Sequence, residues 1–157
     1  MPIVFIEVLS VCRRPPVWIS DITNEYASRL VGHIALGFKQ VPPGLAATST
    51  EERLKDESKR LRRQLKPKTH TVVLDRQGKE HDSEALSKQL ARWRTDFDRV
   101  ALVIGGPDGL EASFRADAAG RWSLSRLTLP HLMVQIIVAE QIYRAWSILE
   151  GHPYHRG

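Results

Sequence analysis

The sequence predicts an α/β fold, a mostly parallel sheet with helices on both faces. Three observations carry this. The strand-like stretches are almost continuously apolar, which suits strands buried on both sides. They alternate with segments of helical period. And 157 residues are enough chain for one domain with a real core. An apolar share of 42% and a charged share of 26% exclude wholesale disorder or a fibrous repeat.

Pro2–Leu9 is a short apolar, β-branched run and reads as the first strand, broken by Arg13-Arg14-Pro15-Pro16. A helical pattern follows, with Val17, Trp18, Ile22, Tyr26 and Leu30 near one face. Ile34–Val41 is a second strand, closed by Pro42-Pro43-Gly44. Ser49-Thr50-Glu51-Glu52 supplies a cap and first-turn acid for a charged helix. Thr69–Leu74 is a third strand, and Asp75–Gly78 reads as a turn. Asp82 or Ser83 caps the next helix, with Leu86, Leu90 and Trp93 or Phe97 inward. Val100–Ile104 runs straight into Gly105-Gly106-Pro107-Asp108-Gly109; a short helix and a loop then lead to Pro130 and a long final helix ended by Gly151.

That final helix, His131–Leu149, carries apolar residues on nearly every side, whereas a surface helix needs only one apolar stripe. Gln135, Glu140, Gln141 and Arg144 interrupt it too often for a membrane span. In so small a domain it is expected to form a homodimer interface.

Twenty-three Lys plus Arg against eighteen Asp plus Glu give a formal charge of +5, which favours a polyanionic partner. The single cysteine, Cys12, excludes a disulfide framework and fits a reducing cytoplasm. Residues 1–9 have neither the basic flank nor the cleavage pattern of a signal peptide. The segment 59–79 holds Lys59, Arg60, Arg62, Arg63, Lys66, Lys68, Arg76 and Lys79 against one acid, Asp75. It is either a solvated helix face or a phosphate-contacting patch, and Glu51, Glu52, Asp56 and Glu57 upstream could pair with it.

No metal is expected, because the histidines have no ligand spacing and no acid or cysteine cluster completes a site. Nucleophile-elbow and glycosidase-like carboxylate patterns are absent too. Ile104–Leu110 lacks the spacing of a dinucleotide or phosphate loop. Alone it reads as an ordinary strand-to-helix turn, although glycines at a parallel strand's end also let a ligand approach. Trp122–His131 is apolar and rich in hydroxyls, able to wrap an adenine or simply to pack as a connection. The tail Gly151–Gly157 combines aromatic, cationic and hydrogen-bonding residues, a composition suited to stacking on a base and holding phosphate.

Leu74-Asp75-Arg76-Gln77-Gly78-Lys79, Leu102 through Leu110, Trp122 through His131, Glu140 through Trp146 and His152-Pro153-Tyr154-His155-Arg156, taken in order, resemble one family. It is the bacterial ribosomal RNA large subunit methyltransferase H family, small SPOUT enzymes that methylate N3 of a pseudouridine in 23S rRNA. The resemblance runs over essentially the whole chain and is strongest from Val72 to Arg156. It implies that residues 1–157 form one methyltransferase domain with a C-terminal trefoil knot, a cytoplasmic homodimer and S-adenosylmethionine as donor. By motif, the cofactor positions are Leu74, Gly105, Leu124, Ser125, Arg126, Leu127, Thr128 and Leu129. Gln135 stands where many members have arginine.

For the chemistry, His155 and Tyr154 are expected at the base, His155 as proton acceptor, with Arg144 and Arg156 holding phosphate or an imide oxygen; the alternative is that all four only position RNA and the proton goes to water. Arg156, Lys59, Arg62, Arg63 and Lys66 are the expected RNA contacts. A SPOUT enzyme acting on another RNA, or a non-catalytic RNA-binding dimer, are the alternatives; cofactor binding separates the last from the others.

Overall fold

The structure, a computed structural model, describes residues 3–46 and 48–156. The five strands are β1 (Val4–Val11), β2 (Ile34–Val41), β3 (His70–Glu80), β4 (Arg99–Ile104) and β5 (Gly120–Ser123). They form one sheet in the order β2-β1-β4-β3-β5, and every pairing is parallel. Helices α1 (Val17–Arg29), α3 (Ser83–Asp96) and α5 (His131–Glu150) lie on one face, α2 (Thr50–Gln64) and α4 (Ala112–Asp117) on the other. Strand alternation sorts the core accordingly. Val4, Ile6, Val8 and Val72 pack toward α3 and α5, while Leu9, Val11, Val73 and Val103 pack toward α2 and α4.

The helix starts follow from side-chain caps. Ser49 Oγ accepts the Glu52 N–H at 3.2 Å, and Asp82 Oδ1 accepts that of Ala85 at 2.7 Å, each worth about 1 kcal/mol. Helix α5 ends at Gly151, whose φ of 68° is left-handed, and the His152 N–H returns to the Ser147 carbonyl at 2.8 Å. A 3-10 turn, Pro153–Arg156, follows.

Three expectations need correction, and the packing of the last helix is now visible. Strand β5 was unforeseen in what reads as a loop. β3 does not stop at Leu74; it resumes and continues to Glu80. In α1 the buried residues are Ile19 and Thr23, whereas Val17, Trp18 and Ile22 face outward. Helix α5 is covered mainly by its own chain. Its residues Val138, Ala139, Ile142, Tyr143, Ala145 and Trp146 are buried within the protomer, with α1 and α3 packed against it, and Trp146 Nε1 donates to the Val31 carbonyl at 3.2 Å. Only Met133 of this helix's large apolar residues is well exposed. Pro2 and Gly157 lie outside the described residues.

Candidate functional site

A cavity of about 720 Å³ opens at the carboxyl ends of β3 and β4, where open parallel sheets bind ligands. Three chain segments wall it. The first is a bulge in β3: Trp122 on β5 stands opposite both Leu74 and Lys79, so residues 75–78 loop out of the ladder and place Asp75, Arg76 and Gln77 on the cavity wall. Asp75 Oδ1 accepts the Gln77 N–H at 3.0 Å and shapes the bulge. Gly78 has to be glycine, since a Cβ there would meet the Arg121 carbonyl carbon at 2.7 Å.

The second wall is the loop Gly105–Leu110 after β4. The Gly109 N–H bonds the Gly106 carbonyl at 2.9 Å, and Gly109 itself has φ 78°. A Cβ on Gly105 would lie 2.6 Å from the Gly109 carbonyl group. The expectation that Gly105 is bare to admit a ligand is therefore amended: Gly105 does line the cavity, but it is bare because the loop closes on it.

The third wall joins β5 to α5. Ser123 Oγ donates to the Ser125 carbonyl at 3.0 Å and Ser125 Oγ accepts the Leu127 N–H at 3.0 Å, coiling the segment so that Leu124, Ser125, Leu127, Thr128 and Leu129 reach the cavity. Arg76 Nη1 donates to Thr128 Oγ1 at 2.8 Å and ties this wall to the bulge. Arg126 does not line the cavity. Its side chain is 90% exposed and reaches toward Glu80 at 3.7 Å, because the turn that points its neighbours inward points it out. Sequence reasoning missed Asp75, Arg76, Gln77, Arg115 and Val134 as wall residues; polar residues directly after a strand and before a glycine were the available signal for the first three.

The tail gathers elsewhere. Glu140 Oε1 accepts from Arg144 Nε at 2.9 Å and from the Tyr154 hydroxyl at 3.2 Å. Tyr154 also meets the Tyr26 hydroxyl at 3.4 Å and sets its ring edge-on to Tyr143, centroids 4.5 Å apart. Burial, the Tyr26 hydroxyl and the Glu140 charge push the Tyr154 phenol well above its ordinary value, so it is a proton donor rather than a base. Arg144, held above its usual value by the Glu140 hydrogen bond, is committed to that carboxylate and lies over the Tyr154 ring at 5.2 Å. His155 Nδ1 lies 3.3 Å from Ser147 Oγ, and Arg156 is exposed. This cluster runs along the second half of α5, from Glu140 to Ser147, and the cavity lies at the helix's N-terminal end by Pro130, His131 and Val134. Val134 on the cavity and Ser147, which meets His155, stand about 20 Å apart along the helix, and none of Tyr154, His155 and Arg156 lines the cavity.

Lys59, Arg63 and Lys66 are exposed on and after α2. Arg62 is taken up: it pairs with Asp117 at 2.9 Å and covers the Phe114 ring at 5.2 Å. As the acids upstream suggested, Glu51 pairs Lys55 at 3.1 Å and Asp56 pairs Arg60 at 2.8 Å. The α2 cations lie across the sheet from α5. Gln135 is buried and donates to Cys12 Sγ at 3.5 Å, so it faces the interior rather than the cavity. Among the described residues no group of three His, Cys, Asp or Glu is placed to hold a metal, and no helix is long and apolar enough to cross a membrane.

Comparison with known proteins follows the same lines. The family model described as "Predicted SPOUT methyltransferase" matches residues 4–155. The ribosomal RNA large subunit methyltransferase H of Alkalilimnicola ehrlichii is 44% identical over 153 residues, 96% of this chain and 98% of that protein. The protein of the same name from Methylococcus capsulatus is 41% identical over 96% of this chain and 99% of its own. Among solved structures, the SpoU methyltransferase AviRb from Streptomyces viridochromogenes, in complex with the cofactor AdoMet, aligns with TM-score 0.47 and 18% identity over 92% of this chain and 58% of that chain. With a family match over nearly its whole length and relatives of one name above 40% identity, the chain belongs to the SPOUT methyltransferases, in the ribosomal RNA large subunit methyltransferase H family.

Proposed function

We propose that this protein transfers a methyl group from S-adenosylmethionine to N3 of a pseudouridine in 23S rRNA, acting in the cytoplasm as a homodimer with a knotted C-terminal segment. The observation that carries the reading is the cavity itself: its walls are the same three segments, around Leu74, Gly105 and 124–129, that the family resemblance singles out. Its volume suits a nucleoside-sized ligand. The residues fit the donor, with Leu124, Leu127 and Leu129 offering an apolar wall to adenine and the closed glycine loop offering backbone groups. When bound, S-adenosylmethionine supplies a methyl group on a positively charged sulfur. In-line transfer needs donor and acceptor held in line and in contact, and the residues of the three walls would orient the donor for it. His155 accepts the imide proton in this reading. Tyr154 and Arg144, both bound to Glu140, position the tail. Arg156, Lys59, Arg63, Lys66 and the outward Arg126 meet phosphate.

The dimer reading rests on two features. Val17, Trp18 and Ile22 form an exposed apolar strip on α1, beside α5, and such a strip marks an interaction surface. None of the tail residues Tyr154, His155 and Arg156 lines the cavity of its own protomer, and a two-fold related copy can bring one protomer's tail to the other's cavity. The test is nucleotide mapping of 23S rRNA by mass spectrometry from cells with and without the protein. One N3-methylated pseudouridine should disappear in its absence; an unchanged modification map contradicts the assignment.

A further inference from the structure

We propose that Asp75 and Arg115 together grip the amino-acid end of the adenosyl ligand, Asp75 taking its ammonium and Arg115 its carboxylate. The inference rests on the reading of the cavity as the donor site. Three buried side-chain nitrogen or oxygen atoms among the described residues have no hydrogen-bond partner: Asp75 Oδ2, Trp93 Nε1 and Arg115 Nε. Two of the three belong to residues of the cavity wall, and those two carry opposite charge. Buried polar atoms are nearly always paired in native proteins, and an orphan calls for a missing partner.

Each residue keeps one buried atom that its neighbours leave unpaired, Asp75 Oδ2 and Arg115 Nε. The Asp75 side chain is only 8% exposed, and the cation nearest it is Arg121 at 4.0 Å, the outer limit of an ion pair. Around α4 the other arginines have found carboxylates, Arg53 at Asp108 and Arg62 at Asp117, each at 2.9 Å, but Arg115 Nε has none. The two come from separate walls, Asp75 from the β3 bulge and Arg115 from α4 beyond the glycine loop. An α-amino acid carries an ammonium and a carboxylate on one carbon. A cavity with one buried unpartnered carboxylate oxygen and one buried unpartnered guanidinium nitrogen complements that zwitterion and pairs the two opposite charges, the condition under which buried ions are tolerated. The apolar side of the cavity, Leu124, Leu127 and Leu129, has nothing to offer such a group and suits the adenine.

Calorimetry with S-adenosylhomocysteine, decarboxylated S-adenosylmethionine and 5′-methylthioadenosine tests this on wild type, Asp75→Asn and Arg115→Gln. Asparagine keeps the acceptor for the Gln77 N–H. S-adenosylhomocysteine keeps the zwitterion without the sulfonium charge, and 5′-methylthioadenosine lacks the amino-acid end altogether. Both variants should bind S-adenosylhomocysteine about tenfold more weakly or worse while 5′-methylthioadenosine stays within about twofold. Arg115→Gln should leave the decarboxylated ligand unaffected. Equal loss for S-adenosylhomocysteine and 5′-methylthioadenosine, or no loss, overturns the inference. Wild type alone also decides, without any variant: equal affinity for those two ligands overturns it. Wild type that binds no adenosyl ligand overturns the donor-site reading as well.

Discussion

His155 Nδ1 lies 3.3 Å from Ser147 Oγ, and the hydroxyl's one hydrogen is already given to the Arg144 carbonyl at 2.7 Å. Ser147 can then only accept, which places the neutral imidazole's proton on Nδ1 and leaves Nε2 as a free base. A hydrogen bond to backbone thus selects the tautomer that the proposed role of His155 as proton acceptor calls for. His155→Ala should lower single-turnover methyl transfer about 10²-fold with cofactor affinity unchanged. Ser147→Ala, which frees the tautomer, should lower it by less. A wild-type rate in His155→Ala would move the proton acceptor elsewhere.

Gly105→Ala should damage the cofactor loop from within, because the added Cβ would meet the Gly109 backbone at 2.6 Å. The expected result is a lowered melting temperature together with weaker S-adenosylmethionine binding, each equivalent to about 1–3 kcal/mol. Calorimetry and thermal melts on the same sample check both.

The dimer surface can be probed without touching the core. Trp18 and Ile22 are exposed in the protomer at 55% and 36%, so Trp18→Asp should yield folded monomers in analytical ultracentrifugation. Trp146→Asp, by contrast, should unfold the chain, since Trp146 is 6% exposed and bonds Val31. A Trp18→Asp protein that stays dimeric would place the interface on another surface.

His70 stacks on Phe97 at 4.1 Å between centroids, and burial pulls its pKa below the ordinary imidazole value against a smaller opposing pull from Asp96. The unfolded chain therefore takes up the proton first as pH falls. This contribution to stability is complete above pH of about 6.5 and is lost as pH drops from there through the lower folded value. Denaturant titrations of wild type and His70→Phe should diverge below that pH, with the variant the flatter of the two.

The sheet was legible because Val100–Ile104 of β4 is an unbroken apolar run and β2 opens on Ile34-Ala35-Leu36 and is closed by Pro42-Pro43-Gly44, and the caps at Ser49 and Asp82 are local chemistry. Strand β5 was not, because only Trp122 and Ser123 of its four residues are buried and nothing in Gly120-Arg121 signals a strand. The β3 bulge depends on Trp122 standing opposite two residues at once, a tertiary fact with no local signature. The inner face of α1 is not legible in the sequence because Val17, Trp18 and Ile22 are apolar yet exposed, so the apolar pattern does not mark the packed side. Leu74, Gly105 and the 124–129 segment were found through ordered motifs, yet Arg126 came with them only by adjacency. Asp75 and Arg115, forty residues apart in sequence, could be joined only by the cavity between them.

The central claim is that each methyl-transfer site combines one protomer's cavity with its partner's tail, and mixed dimers test it most directly. His155→Ala protomers retain the cavity; Gly105→Val protomers retain the tail. Each homodimer alone should be inactive on 23S rRNA. Mixed and allowed to exchange, half the dimers become hybrids with one intact composite site, so activity should return to about a quarter of wild type. If cavity and tail of the same chain make the site, no hybrid contains an intact one, and a mixture as inactive as its components would contradict the account.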